Sequence, residues 1–131
     1  MTEERLRELL SLAVRHTWHA LNKEQEAGIT AQEVEEALKR GFVLVEDYPD
    51  DPRGHSCLVL TWLKDGRPLH VVCGLHEDTL IIITVYVPSE EEWEPGFRVR
   101  RRKHGKVLHV RGKGCEAFSG CRVRQYYHQE R

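Results

Sequence analysis

The sequence predicts an α+β domain with two N-terminal helices packed on one face of an antiparallel sheet of about four strands, followed by a basic C-terminal extension. Three observations carry this expectation. Apolar residues recur at three- and four-residue spacing up to about residue 40, the mark of helices with one buried stripe. After Gly41 the chain turns to short runs rich in β-branched and aromatic residues. Those runs are joined by short turns, and short turns imply antiparallel neighbours. At 131 residues the chain is expected to form one domain over residues 1–102, with the extension over 103–131.

The elements follow in order. Residues 2–15 read as helix, capped by Thr2, with Glu3 and Glu4 where the helix dipole favours acids and Leu6, Leu9, Leu10 and Ala13 as its apolar stripe. The helical pattern continues to about Ala27, and Gly28 ends it. Thr30 and Glu33 form a capping box that opens a second helix, with Val34, Ala37 and Leu38 inward and Gly41 as its stop. Phe42–Tyr48, Ser56–Leu63, Pro68–Gly74 and Thr79–Val87 read as strands. Asp65-Gly66 between the second and third is a strong hairpin signal. Pro88–Gly96 is an acidic loop. Beyond it, Val107–Val110 and Arg122–Tyr127 are strand-like pieces broken by glycines.

Charge divides the chain. Residues 98–131 hold eleven Lys/Arg against two acids, whereas the overall net charge is −1, so residues 1–97 are strongly acidic. A dense cationic strip suits a polyphosphate partner, because each neutralised phosphate releases counterions. The same split also suits pairing of the two halves, within one chain or across a homodimer. With 40% hydrophobic and 31% charged residues, a soluble protein is expected. No apolar run approaches the ~20 residues of a membrane span, so no membrane partner is expected. MTEERLRELL lacks the apolar core of a secretory signal, which makes the cytoplasm the expected location. Cys57, Cys73, Cys115 and Cys121 are then expected to be thiols.

Chemistry centres on His70. Strand alternation puts His70 on the face opposite Leu69, Val71 and Cys73, and puts Thr84 and Tyr86 together on the next strand. A histidine beside a tyrosine and nearby guanidiniums can act as an acid–base pair on a phosphodiester; a purely structural role for the same histidine is the competing expectation. His19 and Lys23, four residues apart on a helix, can meet a phosphate or can form a solvated face. His16 and His19 could hold a metal, but no third ligand is evident, and no cofactor is expected. His104, His109, Cys115 and Cys121 are zinc-ligand types without a Cys-x2-Cys knuckle. RGKGCEAFSG lacks the ending of a phosphate loop.

Several segments in order carry a resemblance: His19-Ala20 with Lys23 and Gly28-Ile29-Thr30, VEEALKRG, Tyr48-Pro49-Asp50-Asp51, Gly66-Arg67-Pro68-Leu69-His70-Val71-Val72, and Ile82-Ile83-Thr84-Val85-Tyr86 followed by Trp93. Together they resemble the bacterial domain-of-unknown-function family numbered 4258 over about residues 16–102. The resemblance implies a RelE/barnase-like fold and an RNA-cleaving or RNA-binding role. Carried across by position, its polar residues fall on His19, Lys23, His70, Thr84, Tyr86 and the arginines after Trp93, namely Arg98, Arg100, Arg101 and Arg102. The family carries arginine where this chain has Lys23 and Ala27. Lysine keeps the charge but loses the bidentate fork, and alanine loses both.

The resulting expectation is a metal-independent endoribonuclease of toxin type, with an antitoxin protein as partner. His70 and His19 would exchange protons, Lys23, Arg98 and Arg100 would steady the phosphate, and Tyr86 would orient it or stack a base. The alternatives are a module that binds RNA or protein but has lost turnover, and a protein-interaction domain whose basic tail docks on acidic surfaces.

Overall fold

The structure, a computed structural model, describes residues 1–101. Its elements run α1 (Glu3–Leu10), β1 (Val14–His16), α2 (Trp18–Ala27), α3 (Ala31–Arg40), β2 (Val43–Tyr48), β3 (Ser56–Trp62), β4 (Pro68–His76) and β5 (Thr79–Tyr86). The architecture is α+β, as the patterning indicates. Among the described residues the count differs, with three helices and a five-stranded mixed sheet in place of two helices and about four antiparallel strands.

The difference lies in residues 11–17. The helix expected to run on to Ala27 breaks at Ser11, which caps α1. Val14–His16 instead extends and pairs in parallel with Leu80–Ile82 of β5. Thr17 starts the new helix: its Oγ accepts from the Ala20 N–H at 2.9 Å and donates to the Ile83 carbonyl at 2.8 Å. One hydroxyl thus satisfies a helix-end donor and ties α2 to β5. Gly28, at φ +75°, closes α2 as expected of a left-handed cap. The Thr30–Glu33 capping box forms with both reciprocal bonds present.

The sheet order is β1-β5-β4-β3-β2, and β2 to β5 form an antiparallel meander. The Asp65-Gly66 turn joins β3 to β4, with Gly66 at φ +92°. All three helices contribute to the core on one face, where Leu6, Leu9, Leu10, Ala20, Val34 and Leu38 meet Cys57, Val59, Leu69, Val71, Cys73 and Ile82. Burying each large aliphatic side chain is worth about 1.5–3 kcal/mol. The other face has no helix among the described residues. Leu58, Val72 and Ile83 are covered there by Trp93, with Phe97 alongside. Trp93 belongs to a strap over residues 88–101, closed by an isolated antiparallel bridge between Trp93 and Arg100. The described residues contain no helix long and apolar enough to cross a membrane.

Candidate functional site

Register builds the site from β4 and β5. His70 stands opposite Tyr86, and Val72 stands opposite Thr84. A β-bulge between Val72 and Cys73 adds Ile83 to the strap-facing side, where it packs with Val72. His70, Thr84 and Tyr86 therefore share the face away from the helices. That face is filled rather than left as an open cleft, for His70 is 0% exposed and Thr84 is 5% exposed.

The hydrogen bonds of His70 suit a neutral ring. Its Nε2–H donates to the Phe97 carbonyl at 2.8 Å, and its Nδ1 accepts from the Tyr86 hydroxyl at 3.1 Å. A ring with one donor and one acceptor is neutral. The carbonyl is offered by a residue in an uncommon backbone conformation, with Phe97 at φ +57°. Trp93 meets the imidazole edge to face at 4.4 Å between centroids, and Tyr86 does so at 5.2 Å. Burial lowers the His70 pKa to about 4, and the Arg100 charge adds to the effect while the Phe97 carbonyl and Glu46 oppose it.

Arg100 fastens the strap. Its guanidinium lies 4.5 Å from the centre of the Trp93 ring. It donates to both oxygens of Glu46 on β2, from Nε at 2.8 Å and Nη2 at 3.0 Å. Tyr48 also donates to Glu46. Burial would raise the Glu46 pKa, but the Arg100 and Tyr48 hydrogen bonds outweigh it and hold the carboxyl below its usual range. Arg101 adds bonds to the Glu90 carbonyl and to Glu94.

The remaining predicted residues are spread out. His19 is half-buried in the first turn of α2, while both ring nitrogens of His70 are taken by Tyr86 and Phe97. Lys23 pairs with Glu26 at 3.3 Å. Arg98 is exposed. Arg102, the extension over 103–131 and the residues His104, His109, Cys115 and Cys121 lie outside the described residues, as do the strand-like pieces Val107–Val110 and Arg122–Tyr127. Cys57 and Cys73 are free, buried and directly opposed across β3 and β4. A polar cleft of about 240 Å³ between the start of α3 and the β3–β4 turn is lined by Glu33, Glu36, Asp65, Arg40, Lys64 and Arg67. Its three acids balance its three bases.

Sequence reasoning missed the cover, consisting of Trp93, the Phe97 carbonyl, Glu46 and Tyr48. The available signal was a lone tryptophan in the acidic run PSEEEWEPG, which a solvated loop does not need. It also missed the environment of His16, placed on a helix by the continuous pattern. His16 instead ends β1 with Glu24 and Glu35 on its two ring nitrogens.

Fold and site together define a small helix-backed sheet domain with a neutral histidine sealed beneath an aromatic strap. Residues 17–87 match the family described as Domain of unknown function (DUF4258), and the chain belongs to that family. No curated protein and no solved structure matches it.

Proposed function

We propose that this protein is an RNA-binding module of the RelE/barnase-like class that has kept the fold and lost turnover. The observation that carries this reading is the sealing of His70, which has no exposed surface and spends both ring nitrogens inside the domain. A general base must reach the proton it removes, directly or through one water. Lys23 and Ala27, standing where the resemblance places arginines, point the same way. The RNA-facing element is the basic chain beginning at Arg98, whose charge runs through to Arg131.

The test uses a labelled single-stranded oligoribonucleotide and the full chain. Binding is expected at low salt, falling with a log–log slope of about −4 to −7 if five to ten phosphates are met. No binding at low salt, or a flat salt response, overturns the RNA reading and favours docking on acidic protein surfaces. Intact RNA after long incubation is expected.

One observation favours a second reading, metal-independent endoribonuclease. The 3.1 Å contact between His70 and Tyr86 is the geometry of an acid–base pair. Cleavage that survives a chelator and drops about 100-fold or more in His70→Ala would replace the first reading with this one.

A further inference from the structure

His16 stands apart from the strap-covered site. It ends β1, one of the two edge strands of the sheet among the described residues, and carboxylates from two helices bracket its ring. Glu24 Oε2 of α2 lies 2.6 Å from Nδ1, and Glu35 Oε2 of α3 lies 2.8 Å from Nε2. Carboxylates in their ionised form only accept hydrogen bonds, so with both glutamates ionised both ring nitrogens donate. Two N–H groups make the ring an imidazolium. A neutral ring has one, and would turn a lone pair toward one of the carboxylates. The two acids approach opposite ends of the ring, an arrangement that bridges helices rather than encloses an ion.

Burial makes the proton matter. The His16 and Glu24 side chains are 7% and 2% exposed. The second oxygen of Glu24, Oε1, is buried with no hydrogen-bond partner among the described residues. Among the described residues the imidazolium is the only cation paired with Glu24, and a buried charge stripped of its partner is costly. Burial by itself would draw the proton off His16, but the two glutamates outweigh it and raise the pKa. Those glutamates are the charged groups acting on the ring, one from each helix. β5, on the other side of β1, presents Leu80, Ile81 and Ile82 in register.

We propose that protonated His16 is a clamp holding edge strand β1 to α2 and α3, and that loss of this single proton loosens the strand. β1 needs such help. It has three residues and, among the described residues, one neighbouring strand, and it lies in a stretch whose apolar spacing reads as helix. The sign follows from linkage. The folded pKa lies above the unfolded value of about 6.5. The clamp therefore acts in full below about pH 6.5 and is lost as pH rises through the folded pKa.

The test is amide hydrogen exchange of the full chain at pH 6 and pH 9, read as protection after correction for intrinsic exchange. The key residues are 14–17, including Thr17, whose N–H donates to the Ile82 carbonyl at 3.0 Å. Protection there should fall between the two pH values, while β3 and β4 hold. Glu35→Gln should shrink that fall and lower the midpoint of the His16 ring titration followed by NMR. A ring titrating at or below about 6.5, or an equal loss of protection in wild type and His16→Gln, overturns the clamp. If His16→Gln does not fold, the ring titration and Glu35→Gln decide the matter.

Discussion

His70 and Trp93 show how a single side chain is set by what covers it. The imidazole has traded its charge for two internal hydrogen bonds and an aromatic wall. Its pKa of about 4 lies below the unfolded value of about 6.5, so the stability it contributes is full above about pH 6.5 and is lost as pH falls through 4. The ring should stay neutral in NMR titrations down to about pH 5. Trp93→Ala should cost about 3–5 kcal/mol in urea denaturation, as expected for emptying a buried aromatic site. It should also move the His70 pKa up toward the ordinary value, because water reaches the ring. A pKa still near 4 in that variant would show that the strap is not what desolvates the histidine. The shared face of His70, Thr84 and Tyr86 was legible, because alternation along a strand is a local rule. The cover was not. Its neighbours Glu90, Glu91, Glu92 and Glu94 spoke for solvent, and which face a loop closes over depends on contacts far away in the chain.

At the scale of the element, the junction between α1 and α2 is governed by one hydroxyl. Thr17→Ala removes both the cap of α2 and the bond to Ile83, so it should destabilise by about 1–2 kcal/mol in urea denaturation. Thr17→Ser, which keeps the hydroxyl, should recover most of that loss. A Thr17→Ala variant as stable as wild type would mean that neither bond matters to the junction. This junction is also where the reading of elements from sequence failed. β2 to β5 were legible to within a residue or two because each is a run of five or more strand-forming residues bounded by turns. β1 offers three residues, and its parallel partner lies beyond two helices and three strands. Such pairing leaves no local trace, whereas Leu6, Leu9 and Leu10 begin a helical stripe that carries on smoothly through it. Thr17 ahead of an alanine three positions on was the one local cue, and it was weaker than the stripe.

Across the whole molecule the two buried histidines pull in opposite directions. The stability that protonated His16 contributes declines above about pH 6.5 and is gone once pH passes its raised folded pKa, while His70 begins to favour the unfolded state as pH falls below about 6.5. Glu46, held ionised by Arg100 and Tyr48, adds a further loss in acid as pH falls through its lowered pKa. Thermal denaturation from pH 4 to pH 9 should therefore show a maximum near pH 6–7, set by the histidine value of about 6.5. A melting temperature that rises or falls steadily across that range would contradict the opposition. The parallel strand has one more effect, in time rather than in energy. Thr17 and Ile83, the residues that lock β1 to β5, are separated by 66 positions. The β2–β5 meander can close through short turns, but β1 has nothing to pair with until β5 has formed. At roughly 5–20 residues per second on a ribosome, that is a wait of several seconds. Of these five strands, the one synthesised first must wait for the one synthesised last.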